Sequence, residues 1–262
     1  MISLPFLLDQ VMPALVAAIP VTLALFGLSA AASLLLGIPL GLAMAWGPKP
    51  LRWAVRSYSL VIRGTPLLVQ IYILYYGFGH LVPAGWMRQG WAAPYLRDAF
   101  WYALVALSLN ETAYVAELFR GAIRGVPEGE VEAARAFGMT RGQAFRRIVL
   151  PRAVGLCLPA LANEAVLLLK STVLASTITV FDVLGTANTI RSRSFRVYEP
   201  LIGAALIYIV LVGLLTLACG WVERRLNPQL RPAPPGRHDG SGGRRTAYRG
   251  RPAIPRPDGG SA

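Results

Sequence analysis

The sequence carries no Walker A phosphate-binding loop, so any ATP hydrolysis tied to its action must come from another chain. Its two histidines, His80 and His238, are too isolated to anchor a catalytic site, and no Ser/His/Asp or paired-carboxylate arrangement stands out. An enzyme is not indicated. The two cysteines, Cys157 and Cys219, lie in apolar stretches without metal-ligand spacing and read as buried free thiols, with no metal site and no cofactor. Lysine and arginine are missing from Met1 to Ile19, which therefore lacks the basic start of a signal peptide.

What the sequence has in abundance is apolar length. Of its 262 residues 55% are hydrophobic, and several long runs carry no charge. A soluble domain of that composition would need an unusually large core, whereas an all-α polytopic membrane protein does not. A net charge of +13 could suggest nucleic acid, but the basic residues flank the apolar runs. That placement follows the excess of Lys and Arg expected of cytoplasmic segments, and points to the lipid bilayer as partner.

Thr22 to Trp46 gives about 25 charge-free residues, enough to cross roughly 30 Å of hydrocarbon. Residues 1–21, punctuated by Pro13 and Pro20, are expected outside that span as an interfacial segment on the outer side. The second apolar run, Ser57 to Gly79, is interrupted at Arg63-Gly64-Thr65-Pro66. Thr65 as N-cap and Pro66 as first helical residue predict either a new helix start within the membrane protein or a kink. A loop, His80 to Asp98, carries Trp86, Trp91 and Tyr95 suited to an aqueous interface. Further spans are predicted over Phe100 to Ile123, Gly155 to Ile178 and Leu201 to Val222, with a polar loop from Phe181 to Pro200. About five transmembrane helices over 22–226, N-terminus outside and C-terminus inside, put 19 Lys and Arg on the inner side against five on the outer. Residues 227–262 hold seven prolines, seven glycines and seven arginines, and are expected to form a disordered cytoplasmic tail.

Between the third and fourth spans, residues 126–151 (VPEGEVEAARAFGMTRGQAFRRIVLP) are too polar to enter lipid. Pro127 reads as the first helical residue, and Glu128, Glu130 and Glu132 suit the positive end of the helix dipole. Gly138 offers a break or a close-contact point, and neither tolerates a large side chain. A second short basic helix is expected from Thr140 to Arg147. The residues alone allow either a compact knob or a loop that crosses the membrane surface.

The run Glu132-Ala133-Ala134, three residues, Gly138, nine residues, Ile148, one residue, Leu150-Pro151 resembles the EAA loop of ABC-importer permease subunits. RGTPLLVQIYILYYG, LNETAYVAELFRGAIRGVP and KSTVLASTITVFDVL are similar to the histidine, basic-amino-acid and opine branch of the polar amino-acid uptake permeases. The resemblance covers about residues 20–226. It implies coupling helices that dock on a cytoplasmic ABC ATPase, which binds the ATP and Mg, through Glu132, Ala133, Ala134, Gly138, Ile148, Leu150 and Pro151. It also implies a second permease subunit, identical or a sister, an external solute-binding protein, and alternating access at the cell inner membrane. The Arg/Gly/Pro tail departs from the compact C-terminus usual in that family.

Ionisable residues deep within a bilayer cost several kcal/mol and mark function by default. Arg63, Glu111, Glu164 and Lys170 fall within the predicted spans. Glu164 and Lys170, six positions apart and thus roughly 240° around a helix, do not pair locally. Glu117 and Arg120 are placed near the inner interface as an ion pair or as free charges. A free amino acid presents a carboxylate and an ammonium together. Arg63, the helix start at Thr65, Glu111, Asn163, Glu164 and Lys170 supply partners for both, although interhelical salt bridges would use the same residues. The in-span charges, two basic against Glu111, Glu117 and Glu164, lean towards a cationic substrate. The competing reading is a secondary transporter with the intramembrane Glu and Lys as a proton relay. It would need no EAA-like loop and should show an internal repeat, which is not visible.

Overall fold

The computed structural model describes residues 3–78 and 93–226. The expectations for Trp86, Trp91 and the tail lie outside those residues. No strand occurs among them, and these described residues form nine helical segments: α1 (Leu4–Trp46), α2 (Lys49–Gly64), α3 (Leu67–Gly77), α4 (Ala93–Arg97), α5 (Ala99–Arg124), α6 (Glu128–Ala136), α7 (Arg141–Ile178), α8 (Val183–Ser194) and α9 (Tyr198–Leu226).

In α1 the buried positions are Leu7, Val11, Leu15, Ala18, Thr22, Leu25, Ser29, Ser33, Gly37, Gly41 and Met44, at three- and four-residue steps that keep one stripe inward. Pro13, Pro20 and Pro39 all stand on the exposed side. The break expected at Pro20 is therefore absent. A proline whose lost hydrogen bond opens outward bends a helix without ending it when neighbouring helices hold both halves. Those neighbours are visible: Leu7, Val11 and Leu15 pack with Val183 and Ala187 of α8 and with Ala204 and Ile207 of α9. The first turns of α1 thus belong to the bundle.

Further along, the stripe narrows to glycine, and there α1 lies directly on α5. A methyl group added at Gly37 would stand 2.7 Å from the Val115 side chain and 3.1 Å from the Thr112 carbonyl oxygen. At Gly41 it would stand 2.7 Å from the Ala116 carbonyl oxygen and 3.0 Å from Phe119 Cβ. Small residues four apart let two backbones approach this closely. α5 begins at Asp98, whose carboxylate accepts the Phe100 N–H at 2.9 Å, and it packs on α1, α2, α3 and α7.

α2 and α3 meet at 102° across the predicted interruption. The break is real, but its chemistry differs from expectation. Thr65 and Pro66 are both extended, Pro66 is the N-cap, and the Thr65 hydroxyl donates backwards to the Val61 carbonyl at 2.9 Å. A residue before proline is pushed out of the helical region, so Thr65 closes the old helix and does not open the new one.

The predicted polar loop between the last two spans contains α8. Its N-cap, Asp182, is fully buried and accepts the Gly185 N–H at 2.8 Å and the Tyr208 hydroxyl at 3.2 Å. The Val183 N–H donates to Thr22 Oγ1 at 3.2 Å, so one helix start ties α1, α8 and α9 together. Burial pushes the Asp182 carboxyl up to about 6, against the Gly185 and Tyr208 hydrogen bonds that favour its ionised form.

Among the described residues three helices, α1, α7 and α9, are long and apolar enough to cross a membrane, and the bent α2–α3 pair makes a fourth if it is one span. α5, at 26 residues, spans about 39 Å of rise but carries Glu111, Glu117 and Arg120 among its apolar residues. Cys157 and Cys219 are free; Cys157 is buried and Cys219 half-buried.

The glycine contacts make a direct prediction. Gly41→Leu should destabilise the purified protein by about 3 kcal/mol, the upper end for overpacking, because the first atom it meets is a backbone oxygen. Gly27, on the same helix with open space around it, is the control. Thermal unfolding in detergent should drop for Gly41→Leu and hold for Gly27→Leu; equal behaviour would mean that the α1–α5 contact is not tight.

Candidate functional site

Two regions carry the residues singled out from the sequence. The first is the polar interior of the bundle. Glu111 of α5 is buried and, among the described residues, makes no hydrogen bond and no ion pair. Its charge and that of Glu164 on α7 lie close enough to interact, and Glu164 in turn feels Arg63 at the end of α2. Three of the six predicted residues are therefore brought together from three different helices. Arg63 is also held by its own side, with one nitrogen 3.8 Å from Glu117 Oε1 and its guanidinium 5.2 Å above the Tyr114 ring. Glu117 bonds Arg120 at 2.6 Å and accepts the Ser59 hydroxyl at 3.5 Å, so Glu117 and Arg120 form the structural ion pair.

The other three residues stand differently. Thr65 is committed to the helix corner. Asn163 and Lys170 are exposed on this subunit and make no hydrogen bond or ion pair among the described residues, Lys170 facing away from Glu164 as its spacing requires.

A residue that sequence reasoning passed over closes the corner. Gln70 donates its side-chain amide to the Ile62 carbonyl at 2.7 Å and to Thr65 Oγ1 at 2.8 Å, across the break. Its Oε1 accepts from Asn110 at 3.1 Å, which hooks the corner onto α5 one residue from Glu111. An unpaired amide in an otherwise apolar run was the available signal, since a polar side chain there has to find a partner.

The second region is the loop. Pro127 is the N-cap of α6 and Glu128 its first residue, one position later than expected. Gly138 has φ +78°, with the Met139 N–H bonded to the Ala134 carbonyl at 3.1 Å and the Gly138 N–H to the Arg135 carbonyl at 2.9 Å. That is a Schellman stop, and it requires a left-handed residue at this position. Among the described residues nothing lies within 4 Å of a Cβ built there, so backbone conformation is what they ask of the glycine. The separate second helix does not form. Thr140 caps α7 with a reciprocal bond pair to Gln143, and the helix continues through Ile148, Leu150 and Pro151 to Ile178, with a π turn at Phe145–Val149 just ahead of the proline. Glu130 binds Arg152 at 2.8 Å and fixes α6 against the start of α7. Ala134 and Val149 are buried, whereas Glu132, Ala133 and Gly138 are exposed and Phe137, at 87% exposure, projects from the tip.

Among the described residues no group of three His, Cys, Asp or Glu side chains could hold a metal. Apolar helices that cross lipid, charged residues gathered inside them and a rigid polar elbow outside define a membrane translocation component. Residues 37–231 match the family described as the binding-protein-dependent transport system inner membrane component. The chain is 43% identical over 229 residues to an octopine transport system permease protein of Rhizobium radiobacter, covering 85% of this chain and 92% of that one. It is 37% identical to a nopaline transport system permease protein of Agrobacterium fabrum (86% and 92% covered), and 42% identical to an arginine ABC transporter permease protein of Escherichia coli K12 (66% and 76%). A crystal structure of an amino acid ABC transporter with histidines superposes with a TM-score of 0.75 at 33% identity, covering 86% of this chain and all of that one.

The chain belongs to the family of binding-protein-dependent transport system inner membrane components. It is a multi-pass inner-membrane permease subunit of an ABC transporter, not an enzyme, and it works with an ATPase and a permease partner.

The Gly138 geometry separates two demands on that position. A left-handed residue other than glycine costs about 1–2 kcal/mol, least for Asn. Gly138→Val should abolish ATPase association and transport, while Gly138→Asn keeps most of both. Loss in both variants, measured by co-purification and uptake, would assign the glycine to close approach of the partner instead.

Proposed function

We propose that this chain forms the translocation pathway for a polar amino acid, basic or opine-like, delivered by an external solute-binding protein and released into the cytoplasm. The observation that carries the reading is the convergence of Arg63, Glu111 and Glu164 from three helices, with the buried Glu111 lacking a hydrogen bond. Two carboxylates and one shared guanidinium leave the site short of positive charge. A ligand bringing an ammonium or a basic side chain supplies it, and Arg63 receives the carboxylate end. The relatives named for octopine, nopaline and arginine support that class of substrate. Asn163 and Lys170 complete the set from exposed positions, where a second permease subunit or the substrate can meet them.

Five spans with the N-terminus outside, α5 and the bent α2–α3 pair included, suit this role. α6 and the start of α7 then stand in the cytoplasm, where Glu132, Ala133 and Gly138 meet the ATPase and Ile148, Leu150 and Pro151 carry the contact into α7. In a background without Cys157 and Cys219, single cysteines at positions 90 and 240 should label with an impermeant thiol reagent on intact cells only at 90. Labelling at 240 alone would reverse the topology.

Losing one charge-assisted contact in a water-poor site costs about 2–3 kcal/mol, some thirty- to a hundredfold in affinity. Glu164→Gln preserves shape and should raise the transport KM by that factor with assembly and basal ATPase activity unchanged. A variant that assembles and transports with unaltered KM would remove Glu164 from the pathway. Failed assembly would make it an interhelical bridge.

A further inference from the structure

A hollow of about 1200 Å³ lies between the end of α1, the start of α2, the end of α5, and α6 with the first turns of α7. Its floor is apolar: Trp46, Ile123, Val131 and Phe145 line it, with the Trp46 and Phe145 rings edge to face at 4.8 Å. Its rim is cationic. Arg52, Arg124, Arg135 and Arg141 all line it, and among the described residues none of the four forms an ion pair. One nitrogen of Arg52 donates to the Gly47 carbonyl at 3.1 Å, while its buried Nε has no hydrogen-bond partner among the described residues. Glu128 and Glu132 also line the hollow, leaving four positive charges against two negative. α6 is therefore two-faced: Glu128, Val131 and Arg135, spaced by three and four, turn towards the hollow, Ala133 and Phe137 stand away from it, and the exposed Glu132 lies at the edge between the two.

We propose that this hollow binds the phosphate headgroup of an anionic phospholipid, with the upper acyl chain on the apolar floor. Unpaired arginines around an aromatic and aliphatic base, where three membrane helices end, match an amphipathic anion better than a fully hydrated one. Basic pockets between helices on the cytoplasmic side are the usual place for anionic headgroups. The chain's own tail is a poor occupant, since its seven arginines against two aspartates would be repelled by the rim. The inner-leaflet position rests on the orientation proposed above. Thiol labelling tests that orientation, whereas lipid retention in detergent is indifferent to side, so the two can fail separately.

The probe is phosphatidylglycerol carried in phosphatidylcholine vesicles. The complete transporter is extracted from them and its retained lipids are read by native mass spectrometry. The wild-type complex should retain phosphatidylglycerol over phosphatidylcholine. Each arginine near an anionic surface contributes about 1 kcal/mol, or roughly fivefold, so Arg124→Gln with Arg141→Gln should weaken retention about twenty-fivefold. Arg124→Lys with Arg141→Lys should keep most of it, and Arg191→Gln, outside the hollow, all of it. No headgroup preference in the wild type, or unchanged retention in the double glutamine variant, overturns the proposal. Displacement by millimolar inorganic phosphate alone would make the site one for free phosphate and overturn the lipid assignment. If the glutamine variant sheds the ATPase subunit and keeps its lipid, the rim is a protein contact and the proposal fails.

Discussion

The structure depends on how closely α1 can lie on α5. In lipid no hydrophobic effect pushes two helices together, so association rests on packing and on interhelical hydrogen bonds. The inward stripe of α1 runs from Leu15 and Leu25 through Ser29 and Ser33 to Gly37 and Gly41, and the separation of the backbones is set at the glycine end. That contact has two consequences. It holds the buried side of α5, with Glu111, at a fixed depth against α1. It also leaves the other sides of α5 to α2, α3 and α7, which bring Arg63, Gln70 and Glu164.

The corner between α2 and α3 is the second constraint. Two successive extended residues, Thr65 and Pro66, turn the chain, and a bend of 102° leaves carbonyls at the end of α2 without helical partners. Gln70 and the Thr65 hydroxyl satisfy the Ile62 and Val61 carbonyls, and Asn110 anchors Gln70 to α5. Arg63 lies in the last turn of α2, two residues before Thr65. Its placement therefore depends on an amide network containing no charge. Such a network orders backbone that would otherwise be costly in a water-poor interior.

Much of this was legible in the sequence, for identifiable reasons. The interruption at Arg63 to Pro66 showed because proline constrains both itself and the residue before it. Gly138 showed because a left-handed stop between two helical runs calls for glycine. The misreadings share a cause as well. Pro20 was taken as a breaker because the sequence does not say which side of a helix faces its neighbours. Thr65 was assigned to the wrong helix because its hydroxyl could serve either end. α8 was read as loop because Arg191, Ser192, Arg193 and Ser194 dominate its composition, yet Asp182 followed by Val183, Ala187 and Ile190 carries the cap and spacing of a helix. The meeting of Glu111, Glu164 and Arg63 was legible only as a list of in-span charges, since proximity across three helices is a tertiary fact.

The charged interior and the elbow are joined by continuous helix. α7 runs from its capped start at Arg141, beside the coupling loop, to Glu164, about 35 Å at 1.5 Å per residue. α2 runs from Lys49, near the hollow that α6 covers, to Arg63. Glu164 and Arg63 thus lie along two helices whose first turns both line the hollow beside α6. The Gly138 stop gives α6 and α7 separate axes, while Arg152 and Glu130 keep them in contact. For opposite charges at an effective dielectric constant near 20, widening a separation from about 4 to 6 Å costs about 1.4 kcal/mol, a tenfold change in an equilibrium. Under the function proposed above, a displacement of that size, within the reach of packed helices that shift against one another, would carry a zwitterion from a held to a released state.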